Sequence, residues 1–149
     1  KELGADVVVD YKKDDFETIL KDYDVVLHSQ NSETLHKSMR ILKSGGKIVS
    51  ISGPPDVDFA KQINANWLIK FVMYFLSRKI KKTAKKLGVH YSFLFTRAHG
   101  EQLTQITSLI EAGVIKPIID KVFPFSETND ALEYVEAGRS KGKVVIKIK

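Results

Sequence analysis

The four histidines, His28, His36, His90 and His99, lack the close spacing of a metal-ligand motif, and no carboxylate stands in an H-E-x-x-H arrangement. With no cysteine in the chain, disulfides, thiolate zinc sites and a cysteine nucleophile are excluded. Neither paired carboxylates nor a nucleophile elbow is present. His28 lies in an apolar run and reads as a hydrogen-bonded core residue ahead of a catalytic base. What remains are hydroxyls, amides and glycines at four places: Asp10-Tyr11, Ser29-Gln30-Asn31, Ser52-Gly53 and the turn after Phe95. The hydroxyls of Ser29 and Ser52 suit phosphate or ribose. Gly53 has no side chain to keep a nucleotide away from the backbone. The same Gly53-Pro54-Pro55 also reads as a plain strand stop. These positions become a site only if the fold gathers them on one edge.

The elements that would gather them follow from periodicity. Val7-Val8-Val9 reads as a buried strand ending at Asp10-Tyr11, followed by a short helix carrying Phe16, Ile19 and Leu20. Asp24 to Leu27 reads as a second strand. Asn31-Ser32 then caps a helix with Leu35, Met39 and Leu42 on one face, closed by Gly45-Gly46. Lys47 to Ser52 reads as a third strand, stopped by the two prolines. From about Phe59 to Leu87 a single helix is predicted, with Ile63, Trp67, Phe71 and Phe75 at four-residue steps. His90 to Phe95 reads as a strand. A helix carrying Leu103, Ile106, Leu109 and Ile110 follows, then an extended Pro117 to Phe125, a helix capped by Ser126, and a buried strand Val144-Val145-Ile146. Alternating strands and helices, with apolar strands, imply an α/β fold. The expectation is an incomplete doubly wound, Rossmann-like parallel sheet with helices on both faces, forming one domain. Ligands bind such sheets beyond the carboxyl ends of the strands, which is where all four candidate positions fall.

Composition bounds the function. With 43% hydrophobic and 28% charged residues the chain is an ordinary globular one. A net charge of +6 is met in nucleic-acid binders and in plain enzymes alike. The basic stretch Arg78 to Lys86 reads as the solvated face of a helix rather than an RNA or lipid contact. The apolar run Trp67 to Leu76 carries Lys70 and falls short of the ~20 residues of a membrane span; it reads as a surface for another domain or over a substrate pocket. The absence of cysteine fits a reducing cytoplasm. The opening Lys1-Glu2-Leu3-Gly4 reads as the last turn of a helix and its glycine stop, with no apolar leader, so an earlier part of the fold is expected to be missing. No glycine-rich turn between a strand and a helix supplies the usual pyrophosphate grip.

Leu-Gly-Ala-Asp at 3–6, Val-Asp-Tyr at 9–11, Tyr-Asp-Val-Val-Leu at 23–27, Leu-Lys-Ser-Gly-Gly-Lys-Ile-Val-Ser-Ile-Ser-Gly at 42–53 and Gly-Lys-Val-Val-Ile at 142–146, taken in order, resemble the C-terminal half of the medium-chain dehydrogenase/reductase superfamily. The closer likeness is to its quinone oxidoreductase-like members. The resemblance implies NADP, or NAD, as cofactor, with hydride transfer from its reduced form (NADPH or NADH) to a carbonyl or activated alkene of a small-molecule substrate, without zinc in this chain. It implies that Tyr11 contacts an adenosine 2′-phosphate, that Ser52-Gly53 lie near the nicotinamide ribose, and that the backbone of Phe93-Leu94-Phe95 meets the carboxamide. Arg139 and Lys143 are implied near the phosphates. It also implies an absent N-terminal GroES-like catalytic domain and two absent strands between Val7–Val9 and Asp24–Leu27, leaving a raw sheet edge; either the full-length protein supplies the missing part or the chain pairs with another copy as a homo-oligomer. The alternative from another class is a non-catalytic dimerisation or binding module.

Overall fold

The computed structural model describes residues 4–148, so the expectation resting on Leu3 lies outside the described residues. The chain forms two compact units, Lys1–Arg97 and Ala98–Lys149, where the sequence suggests one domain. The strands accordingly fall into two parallel sheets, of three and two strands.

The first unit runs α1 (Phe16–Ile19), β1 (Tyr23–His28), α2 (Ser32–Arg40), β2 (Leu42–Ser50), α3 (Val57–Gln62), α4 (Trp67–Lys86) and β3 (His90–Phe93). Its sheet has the order β1-β2-β3 with every pair parallel, as the α/β reading requires. The register sets Val26 beside Ile48 and Tyr91, and His28 beside Ser50 and Phe93. Because side chains alternate across a strand, all six lie on one face. Against it pack Leu35 and Met39 of α2 and Ile80 and Ala84 of α4. The opposite face is open at β1, where Val25 is 61% and Leu27 69% exposed, and half-buried at Val49 of β2 and Ser92 of β3. Strand β1 is therefore not buried on both faces; α2 and α4 both contribute to the core on the other face.

Local chemistry explains the helix starts. Asn31 Oδ1 accepts the Thr34 N–H at 2.9 Å, and Asp56 Oδ1 accepts the Phe59 N–H at 2.9 Å. Each satisfies a donor that the first turn leaves open. Four expectations from sequence fail here. Val7–Val9 forms no strand; it has no ladder partner among the described residues, and Val7 and Val8 stay exposed. The helix expected to reach Leu42 stops at Arg40, and Gly45-Gly46 sit inside β2. There Tyr23 pairs with Leu42 but Val25 with Lys47, so β2 bulges. Gly45 takes φ +80° while its N–H donates to the Gly88 carbonyl at 2.7 Å, a conformation that suits glycine in a bulge as well as after a helix. The long helix is broken in two, since Asn64 adopts φ +50° and Asn66 caps α4 through the Ile69 N–H. Lastly, β3 ends at Phe93 and β2 at Ser50, short of Phe95 and Ser52.

The second unit contains α5 (Gly100–Glu111), β4 (Ile119–Pro124), a 3₁₀ turn at Phe125–Glu127, α6 (Thr128–Glu136) and β5 (Lys143–Lys147). Strands β4 and β5 pair in parallel, and Phe123 and Ala131 are buried between sheet and α6. The 3₁₀ turn leads straight into α6, so Ser126 is not its cap; Thr128 Oγ1 instead donates to the Phe125 carbonyl at 2.6 Å. The strand expected to be buried at Val144–Ile146 is half-buried, its residues alternating in exposure.

Candidate functional site at the carboxyl ends of the first sheet

Three adjacent parallel strands end side by side, and their exits are tied to one another. The Ile51 N–H donates to the His28 carbonyl at 2.9 Å, and the Leu94 N–H donates to the Ser50 carbonyl at 2.9 Å. Ser29, Ser52, Gly53 and Phe93-Leu94-Phe95 are thereby brought to one edge, where the sequence places them. Ser52 Oγ donates to the Gln30 carbonyl at 2.6 Å, which commits its hydrogen and leaves its lone pairs to accept. The Leu94 N–H is likewise taken. Phe93 and Phe95 flank Phe59 at ring-centroid distances of 5.2 and 5.6 Å, so α3 props this exit from below.

Gly53 has a specific cause. A Cβ there would stand 2.6 Å from the Tyr91 hydroxyl and 2.8 Å from Ser50 Oγ, both too close for any other residue. Its N–H donates to Ser50 Oγ at 2.8 Å, and Tyr91 donates to the Pro54 carbonyl at 2.7 Å. The Gly53-Pro54 backbone is therefore pinned by two buried side chains. Desolvation, followed by the nearby Asp56 charge, pushes the Tyr91 phenol well above its ordinary value of 10.0 and keeps it a donor. His28 is 3% exposed and hydrogen-bonded, as a core histidine should be. Burial lowers its pKa from 6.5, partly opposed by the bond to the Asn31 carbonyl.

Tyr11 lies in a turn closed by Asp10, whose carboxylate accepts the Lys12 N–H at 3.1 Å. It is 79% exposed and lines a recess of about 350 Å³ with Lys12, Lys13, Thr34 and Lys37. The recess borders the first turn of α2, which follows Ser29-Gln30 in the chain. Lys37 in it is paired with Asp15 at 2.5 Å. Arg139 and Lys143 are exposed residues of the second unit, Arg139 after α6 and Lys143 at the start of β5. The structure does not bring them to a strand's carboxyl end.

Sequence reasoning passed over Ser50, Tyr91 and Asp56. Alternation in Ile48-Val49-Ser50 was a usable signal for Ser50, since it shares the face of Ile48. An acid before an apolar run was one for Asp56 as a cap. Nothing local marks Tyr91, whose role depends on a turn 37 residues away. As for metals, no three histidine, cysteine, aspartate or glutamate side chains cluster among the described residues, and the sequence has no cysteine to supply a thiolate ligand. No helix among the described residues is long and apolar enough to cross a membrane.

Residues 3–146 match the family model described as zinc-binding dehydrogenase. The chain is 34% identical over 153 residues to the mitochondrial NAD(P)H oxidoreductase RTN4IP1 of Bos taurus, covering 99% of this chain and 38% of that protein. It is 31% identical over 151 residues to the 2-methylene-furan-3-one reductase of Solanum lycopersicum, covering 98% of this chain and 29% of that protein. Among solved structures, the quinone oxidoreductase from Coxiella burnetii superposes with a TM-score of 0.75 at 22% identity, over 99% of this chain and 40% of that one, a likeness of fold. The chain thus spans well under half the length of these relatives.

Proposed function

The chain belongs to the zinc-binding dehydrogenase family, and from that premise we propose that it supplies part of the nicotinamide-nucleotide site of an NAD(P)H-dependent reductase. One observation carries the reading: Ser29, Ser52, Gly53 and Phe93–Phe95 meet where three parallel strands end, the place at which open α/β sheets hold ligands. The pinned Gly53 backbone offers a side-chain-free approach to a ribose, and the Ser29 and Ser52 oxygens offer hydrogen-bonding partners there. The Tyr11 recess is lined by Lys12, Lys13 and Lys37 and equally by Asp14, Asp15 and Glu33, so its charges balance, and the preference for NADP over NAD rests on the resemblance at Tyr11. Arg139 and Lys143 belong to the proposal as further phosphate contacts. When bound, the nicotinamide supplies a hydride. The residues of this chain bind and orient it, and the acceptor is a carbonyl or activated alkene of a small molecule, in keeping with the reductases it resembles.

In the whole protein, the pyrophosphate grip and a GroES-like wall of the substrate pocket are proposed to come from residues outside this chain. The open edge of β1 is proposed to be covered by those same outside residues or, in this chain alone, by a second copy. A reducing cytoplasm suits the cysteine-free composition; imaging of a tagged full-length protein separates that setting from the mitochondrion of the bovine relative. A second reading, a non-catalytic binding module, is favoured by the exposed aromatic stretch of α4.

The test is calorimetric titration with NADPH and NADH, of this chain and of the longest natural form of the protein. Tighter binding of NADPH than of NADH by the longer form supports the reading. Binding of neither nucleotide by either form overturns it in favour of the binding module.

A further inference from the structure

His28 is buried, is the last residue of β1, and takes no part in the proposed contacts. Both its ring nitrogens are nevertheless engaged. Nε2 lies 3.2 Å from the Asn31 carbonyl oxygen and Nδ1 lies 2.9 Å from Ser50 Oγ. A carbonyl only accepts, so Nε2 carries the hydrogen. In the neutral ring Nδ1 is then bare, and Ser50 must donate to it. That spends the one hydrogen of Ser50 and turns its lone pairs outward, where one of them accepts the Gly53 N–H at 2.8 Å. Ser52 Oγ also approaches Nδ1, at 3.4 Å, but its hydrogen already serves the Gln30 carbonyl. The result is a directed chain of bonds from the Gly53 N–H through Ser50 and His28 to the Asn31 carbonyl. It joins the ends of β1 and β2, the start of α2 and the Gly53 turn.

We infer that His28 is a positioning residue: its ring, protonated on Nε2, aims the Ser50 hydroxyl so that Ser50 fixes the Gly53 backbone at the edge where nucleotide binds. The inference rests on the proposed function for its nucleotide half and on geometry alone for the rest. Removing the acceptor frees the Ser50 hydrogen to point elsewhere, including toward Gly53, where it opposes the glycine N–H. An asparagine keeps an acceptor oxygen close to where Nδ1 stands, whereas a leucine keeps the volume without any acceptor.

The experiment compares wild type with His28→Asn, His28→Leu and Ser50→Ala by ¹⁵N imidazole shifts, amide hydrogen exchange at Gly53 and NADPH titration. The wild-type ring is expected as the Nε2–H tautomer. Gly53 exchange is expected to rise about tenfold in His28→Leu and Ser50→Ala and to stay near wild type in His28→Asn, with NADPH affinity following the same order. An Nδ1–H tautomer, or Gly53 exchange equal to wild type in Ser50→Ala, overturns the inference, and both measurements stand if His28→Leu does not fold. Absence of NADPH binding by wild type overturns the proposed function and the nucleotide half of the inference together. Intact binding with unchanged Gly53 exchange overturns the inference alone.

Discussion

The two halves of α4 reverse what their compositions suggest. Its first half, Trp67 to Leu76, is dominated by aromatic and aliphatic side chains, yet Trp67 is 77% exposed and Leu68, Phe71, Val72, Tyr74, Phe75 and Leu76 are all exposed as well. Phe71, Val72, Phe75 and Leu76 line an open groove of about 390 Å³. The second half carries Arg78, Lys79, Lys81, Lys82, Lys85 and Lys86, yet it supplies Ser77, Ile80 and Ala84 to the buried core. Burial is set by what stands opposite a face. The second half meets the Ile48 and Tyr91 side of the sheet, and its lysines leave that seam for solvent. One of them turns back: Lys81 lies 2.9 Å from the buried carboxylate of Asp56 and 3.1 Å from Asp58. It so fastens the packed half of α4 to the cap of α3.

The comparison breaks most directly by truncation. Ile80→Ala removes a core side chain and is expected to destabilise the chain by about 2–5 kcal/mol. Phe71→Ala in the apolar half is expected to stay within about 0.5 kcal/mol, as surface changes do. Urea denaturation of both variants checks this, and equal losses would mean that the exposed half is packed in solution. Next comes Asp56→Ala, which deletes the cap of α3 and the partner of Lys81 together. A loss of about 1–2 kcal/mol is expected, within the range of a lost cap, and Lys81→Met should lose at least as much, because it leaves the buried Asp56 carboxylate without its cation.

Smaller effects come from pH. The folded pKa of His28 lies below 6.5 through burial, so its contribution to stability is full above pH 6.5 and is lost as pH falls through the lower folded value. The folded pKa of Tyr91 is raised above 10.0 by burial, so its contribution is full below pH 10 and declines as pH rises beyond it. Melting curves from pH 5 to 7 and from pH 9 to 11 should therefore flatten in His28→Asn and Tyr91→Phe respectively. No residue of the apolar half should alter either limb.

The same contrast explains how much of the molecule was legible in its sequence. Caps such as Asn31 announce themselves because their chemistry is local, and so does the α/β alternation. The candidate edge was legible too, since Ser29, Ser52-Gly53 and the Phe95 turn follow apolar runs. Gly45-Gly46 misled because a glycine at positive φ closes a helix or forms a bulge, and only the partner strand decides which. Val7–Val9 has a strand's composition but no ladder partner among the described residues. The need for glycine at 53 arises from Tyr91, 38 residues on in sequence, and no local pattern encodes it.

The most direct measurement is a map of amide chemical-shift changes on adding NADPH. The account predicts changes concentrated at Ser29, Gly53 and Leu94, with a second group at Tyr11 to Lys13. Changes confined to Arg78–Lys86 or to α5, with Ser29, Gly53 and Leu94 unmoved, would contradict it.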